Sequence, residues 1–295
     1  MKLATFSLRT SPDSQRVGVL RNGRLHPLEV PSIKTLLAGG PDELAALSVR
    51  KDTEFGEGYR PDEVIFRPPV PDTGKFLCVG KNYRAHLEEL KRTDLIKEMP
   101  NEPTAFLKIN ECLTGHDTDV LRPQTVDRLD YEPEMVFVMG RPAYQVKPDD
   151  ALSYVAGVTL LNDLTCRDTQ KREVASGSRF WTAKNAPGFG PLGPYIITMD
   201  EVPDPYDLWV SCRVNGELRM RVNTSEQIWR LAQIIGHFSR LVPLMPGDLI
   251  STGAPGGVAV GKADAEALFL KPGDVVECAF ENPEMVLRNR IVAAG

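Results

Sequence analysis

Short apolar runs, separated by glycine and proline turns, constrain this chain more than any other feature: they lie at 76–79, 135–139, 155–161, 195–198, 208–214, 249–251 and 275–280. Runs of this length, rich in valine, isoleucine and phenylalanine, read as strands. With 24 glycines and 24 prolines the chain is punctuated too often for long helices. None of the runs approaches the roughly 20 apolar residues of a membrane span. The expected class is therefore α+β, dominated by sheet.

At the amino end, apolar and polar positions alternate around Asn22-Gly23, which predicts a hairpin. A short helix is expected from Pro41 to Leu47, since proline suits the first helical turn. The proline-rich stretch around residues 61–75 predicts a boundary, giving a small α/β domain over 1–65, a linker over 66–75 and a main domain over 76–295. The clearest long helix is expected to begin at Thr224, with Gln227 completing a capping box and Ile228, Leu231, Ile235, Phe238 and Val242 on one face.

A formal net charge of -5 and the absence of a basic run argue against nucleic acid as a partner. The amino terminus carries charges where a signal peptide needs an apolar core, so the expected address is cytoplasmic, away from any membrane. Cys78, Cys112, Cys166, Cys212 and Cys278 lack CxxC spacing and read as buried hydrophobes in a reducing compartment.

Four segments carry residues suited to chemistry. In an extended Asp130-Tyr131-Glu132-Pro133-Glu134, Glu132 and Glu134 point the same way. Such a pair is either a solvated acidic face or a site whose repulsion is offset by a hard cation such as Mg²⁺ or Mn²⁺. The strand-like run 155–161 ends in Asn162-Asp163, followed by Arg167 and Gln170, which suit an anionic or carbonyl-bearing ligand; a capped turn explains Asp163 equally well. His86 and Glu89, three apart on a helical stretch, can form an oriented acid-base pair, although Glu88 competes for the role and a solvated surface pair is the plainer reading. Lys184 lies in a loop dense in glycine and proline, where it can stabilise developing negative charge or simply face water.

Taken in order, FLCVGKNYRAHLEEL, PTAFLKINECLTG, DYEPEMVFVMGR, VAGVTLLNDLTCRDTQ, FWTAKNAPGFGPLGP, VNGELRMRVNT, LMPGDLISTGAPGGV and LKPGD resemble the fumarylacetoacetate hydrolase superfamily from about Phe76 to the end of the chain. The resemblance implies a mixed β-roll core, a homodimer, and a divalent metal, Mg²⁺ or Mn²⁺, on Glu132, Glu134 and Asp163. It implies catalytic roles for His86, Glu89 and Lys184, and substrate-binding roles for Lys81, Arg167 and Gln170. The chain departs from the pattern at Thr252-Gly253-Ala254-Pro255, where members commonly carry Thr-Gly-Thr-Pro. A missing hydroxyl donor to a charged acceptor is worth on the order of 1.5–3 kcal/mol, enough to redirect substrate choice.

The activity this implies is metal-dependent hydrolysis of a carbon-carbon bond in a 2-oxo acid or β-dicarbonyl compound of the acylpyruvate type, as in aromatic catabolism. His86 would activate water and Lys184 would offset charge on the oxyanion. Decarboxylation, isomerisation and dehydration of 2-keto-3-deoxy sugar acids rest on the same platform, because fold does not fix chemistry. A non-catalytic binding protein with a vestigial metal site is the reading from another class.

Overall fold

The apolar runs become strands, and their neighbours in sequence become turns. The computed structural model of the chain describes residues 1–93, 100–177 and 182–294. Within them one large sheet runs in the order Arg24–Leu28, Ser11–Arg21, Lys2–Leu8, Gly190–Thr198, Val155–Asn162, Pro133–Met139, Leu249–Ser251, Phe76–Gly80, Thr104–Leu107. A second sheet of five strands runs Glu217–Asn223, Trp209–Val214, Val275–Glu281, Glu284–Ala293, Val120–Arg122. Most pairings are antiparallel, whereas Leu249–Ser251 lies parallel to Phe76–Gly80. The architecture is the mixed, sheet-dominated one expected.

Alternation along Pro133–Met139 shows how the core is divided. Met135, Phe137 and Met139 join Val210, Cys212, Val276, Cys278 and Leu287 of the smaller sheet in one apolar cluster. Val136 and Val138 face the other way, into a cluster with Leu3, Val17, Val19, Ile33 and Leu36. A strand buried on both faces needs apolar residues at every position, which explains its unbroken run. The five cysteines are free and buried, as small hydrophobes in these layers.

Close approach of two strands requires glycine at Gly157. A Cβ there would lie 2.3 Å from the backbone oxygen of Ile197 and 2.6 Å from Cγ2 of Ile196. Gly157→Ala is therefore expected to cost about 1–3 kcal/mol through forced strand separation. A lowered urea midpoint would register this, and an unchanged midpoint would contradict the contact.

Helices are few. The Asn22-Gly23 hairpin has both turn residues at positive φ, 49° and 72°, the geometry that matches strand twist. Pro41–Ser48 is helical with proline in its first turn, and Arg84–Arg92 carries His86 and Glu89. The helix expected from Thr224 begins instead at Leu231 and ends at Phe238. Thr224–Glu226 is a single 3-10 turn, capped by the Asn223 side chain accepting from Ser225 N. Residues 227–229 are held out of the helix because Asn82 captures the segment: Ile228 N donates to its carbonyl at 2.7 Å, Trp229 N to its Oδ1 at 2.7 Å, and its Nδ2 donates to Trp229 O at 3.0 Å. Long-range hydrogen bonds of this kind override the local capping signal.

Among the described residues no helix is long and apolar enough to cross a membrane.

Candidate functional site

The face that is apolar at Val138 and Val136 turns acidic at Glu134 and Glu132, so the core layer runs directly into a cluster of carboxylates. Antiparallel pairing sets Glu134 opposite Leu161, and Asp163 N donates to Glu132 O at 2.8 Å as the neighbouring strand ends. Register therefore brings Asp163 beside both glutamates. Carboxylate oxygens of all three residues lie within 4.8 Å of one another, and all three side chains are buried. The antiparallel neighbour Leu249–Ser251 completes the wall: Ser251 is paired with Val136 and donates its hydroxyl to Glu134 Oε2.

Three cations enter this cluster. Lys184 Nζ donates to Glu132 Oε2 and Asp163 Oδ2, both at 2.5 Å, and to Thr165 Oγ1 at 2.7 Å. Lys108 Nζ donates to Asp163 Oδ1 at 2.6 Å and to the carbonyls of Lys184 and Phe189 at 2.5 and 3.2 Å. Arg167 Nη2 lies 2.6 Å from Glu132 Oε1, while its Nε donates to Asp130 Oδ2 at 2.8 Å and its Nη1 to Gln170 Oε1 at 2.9 Å. Arg167 is thus placed behind Glu132, outside the pocket lining, and Gln170 reaches the pocket.

The charges are unevenly paired. Burial alone would push the Glu132 carboxyl up, but Arg167 and Lys184 outweigh it and hold Glu132 well below the usual carboxylate range. Burial lowers Lys184 and Lys108, and the adjacent carboxylates more than reverse this, so both stay protonated. Glu134 makes no ion pair among the described residues, and burial together with the charges of Asp163 and Glu132 drives its carboxyl well above the ordinary value. A divalent cation offsets repulsion of this kind at Glu134, and carboxylate oxygens are the ligands hard cations take. The donor set fits such an ion.

Across the pocket stands the Arg84–Arg92 helix, with His86 and Glu89 both buried. His86 Nδ1 lies 3.1 Å from Glu89 Oε2, and Glu89 Oε1 accepts from Gly257 N at 2.7 Å. Glu88, the competing neighbour, pairs instead with Lys91 on the exposed side. His86, Lys81, Gln170 and Lys184 line one pocket with the three carboxylates, and Val79, Leu90, Phe106 and Ala254 give it an apolar wall. The cavity they enclose is small, about 30 Å³. Lys81 sits there with φ of 63°, a conformation uncommon for residues other than glycine and often found at functional sites.

The sites anticipated from sequence thus converge, apart from Arg167, which supports a carboxylate. Lys108, Asp130, Thr165 and Ser251 were not anticipated. A lysine inside the apolar Phe106-Leu107-Lys108-Ile109 stretch was the available signal for the first of them. Phe180 and Trp181, and most of the loop between Lys91 and Glu102, lie outside the described residues.

Residues 75–292 match the fumarylacetoacetate (FAA) hydrolase C-terminal family. The chain is 35% identical over 230 residues to the mitochondrial oxaloacetate tautomerase Fahd2a of Rattus norvegicus, covering 78% of this chain and 70% of that protein. Among solved structures, fumarylacetoacetate hydrolase from Exiguobacterium antarcticum superposes with a TM-score of 0.82 at 30% identity, with both chains covered completely. The 5-carboxymethyl-2-hydroxymuconate delta-isomerase of Mycobacterium smegmatis gives 0.77 at 26% identity, again over the whole of both chains.

Proposed function

The chain belongs to the fumarylacetoacetate hydrolase family, and from that premise we propose that it is a divalent-metal-dependent enzyme that moves a proton on a small 2-oxo acid, interconverting keto and enol forms. One observation carries this reading: the buried His86–Glu89 pair and the Lys184 ammonium line a single small pocket with the carboxylate triad. The similarity to an oxaloacetate tautomerase favours a dicarboxylic 2-oxo acid as the substrate.

Glu132, Glu134 and Asp163 would hold Mg²⁺ or Mn²⁺, which when bound supplies a Lewis acid for the 2-oxo group and its carboxylate. His86, its imidazole oriented by Glu89, takes the proton from the carbon beside the carbonyl and returns it to oxygen or carbon. Lys184, protonated and held by Glu132, Asp163 and Thr165, sets a positive charge beside the oxygen where negative charge builds. Gln170 and Lys81 contact the substrate carboxylates, while Arg167 and Lys108 fix the directions of Glu132 and Asp163. Val79, Leu90, Phe106 and Ala254 keep water from the reacting carbon.

Hydrolysis of a carbon-carbon bond is the second reading, favoured because an oriented imidazole can equally activate a water. Both are separable in one assay. With Mn²⁺ or Mg²⁺ present, the protein should accelerate decay of enol-oxaloacetate absorbance, and a chelator should abolish the effect. Release of pyruvate from an acylpyruvate without tautomerase activity would put hydrolysis first, and no metal-dependent turnover of either compound would overturn the proposal.

A further inference from the structure

Asp130 takes no part in the chemistry above, yet it is completely buried. Its Oδ2 accepts from Arg167 Nε at 2.8 Å and from Val260 N at 3.0 Å, and its Oδ1 accepts from Ala259 N at 2.9 Å. On one side, Arg167 carries the contact on to Glu132 Oε1. On the other, Ala259 and Val260 belong to the loop whose Gly257 N–H holds Glu89, which in turn holds His86. An unbroken line of polar contacts therefore joins a carboxylate of the triad to the acid-base pair.

The loop is also shaped to the helix it receives. A Cβ on Gly261 would lie 2.5 Å from Cγ and Cδ of Glu89, and a Cβ on Gly256 would lie 2.6 Å from Cβ of Ala85. Arg92 Nη2 closes the same seam by donating to Gly261 O at 3.3 Å. Only a loop bare of side chains at these two positions lets the Arg84–Arg92 helix bring Glu89 within reach of Gly257.

We propose that Asp130 is a positioning residue that couples occupation of the carboxylate triad to docking of the His86–Glu89 helix on the loop at 253–261. Asp130 and Glu132 share Arg167, so a cation that draws on Glu132 leaves the guanidinium to Asp130 and firms the loop against which the helix docks. Coupling of this kind travels through hydrogen-bond networks that join two elements. The proposal rests on the triad taking a divalent cation.

Asp130→Asn tests it, because the amide keeps the shape but cannot accept all three N–H groups. Calorimetry with Mn²⁺ alone and trypsin digestion with and without Mn²⁺ plus oxalate are read side by side. Arg84, Lys91 and Arg92 are exposed on the helix and report its docking. In the wild type, Mn²⁺ plus oxalate should slow cleavage there. In Asp130→Asn, Mn²⁺ affinity should fall, because the coupling is reciprocal, the protection should disappear, and kcat should fall about 10–100-fold, the range for groups that orient a metal site from behind. A general loss of rigidity would lower thermal stability without removing the response to Mn²⁺ and oxalate. Should Asp130→Asn fail to fold, Gly261→Ala attacks the same line at its other end and should show the same loss of protection with Asp130 intact. Protection equal to wild type in either folded variant overturns the coupling. A wild type that binds no Mn²⁺ overturns the metal-dependent reading, whereas one that binds Mn²⁺ without protection overturns the coupling alone.

Discussion

Asp163→Ala is expected to lose about 3–5 kcal/mol of folding stability, in addition to a ligand for the metal, because it strands the buried Lys108 and takes from Lys184 one of its two carboxylates. Lys108 and Lys184 both place their ammonium groups against this carboxylate at 2.5–2.6 Å, with almost no exposure. Glu134→Gln provides the contrast. Glu134 makes no ion pair among the described residues, so neutralising it removes a repulsion and should leave stability intact. Its Mn²⁺ affinity should nevertheless fall by more than about 100-fold, beyond what loss of a supporting residue produces. Urea denaturation and calorimetry on the two variants decide the matter. If Asp163→Ala unfolds at the wild-type midpoint, the lysines do not depend on it as the geometry requires.

His86→Ala should lower turnover by about 10²–10⁴, the usual contribution of a general acid-base group, with Mn²⁺ still bound. Glu89→Gln should do less to the imidazole. It also weakens the link to Gly257, because one amide oxygen cannot serve both that N–H and His86. Since the pair acts as a unit, the double variant should be scarcely slower than His86→Ala alone. Steady-state kinetics on the best substrate, with Mn²⁺ binding measured in parallel, would show it. Full activity in both single variants would exclude the pair from proton transfer and leave the chemistry to the metal and Lys184.

The pairs Glu132/Glu134 and His86/Glu89 were legible as neighbours because period sets them on one face, two apart on a strand and three apart on a helix, whereas Asp163 was placed beside the glutamates by the family resemblance. What held them in place was not legible, since it comes from register between distant segments. Lys108 reaches Asp163 across 55 positions and Asp130 reaches Ala259 across 129. The same distinction runs through the fold. Strands buried on both faces, such as Val155–Asn162, announce themselves as apolar runs, whereas Glu217–Asn223 and Glu284–Ala293 are half-exposed and alternate with charges, so no run marks them. The helix start at Leu231 was hidden because Asn82, more than a hundred residues away, holds residues 227–229 out of the helix.

The amino-terminal hairpin has a consequence beyond the site. Lys2 and Leu3 pair with Ile197 and Ile196 at the rim of the strand Gly190–Thr198, and Leu3, Val17 and Val19 cover the apolar layer beneath it. A protein trimmed to the family-like region from residue 75 onward would bare that layer together with a row of unpaired backbone groups. Bared rims of this kind template intermolecular strand addition. The hairpin thus acts as a solubility cap for the module that carries the chemistry.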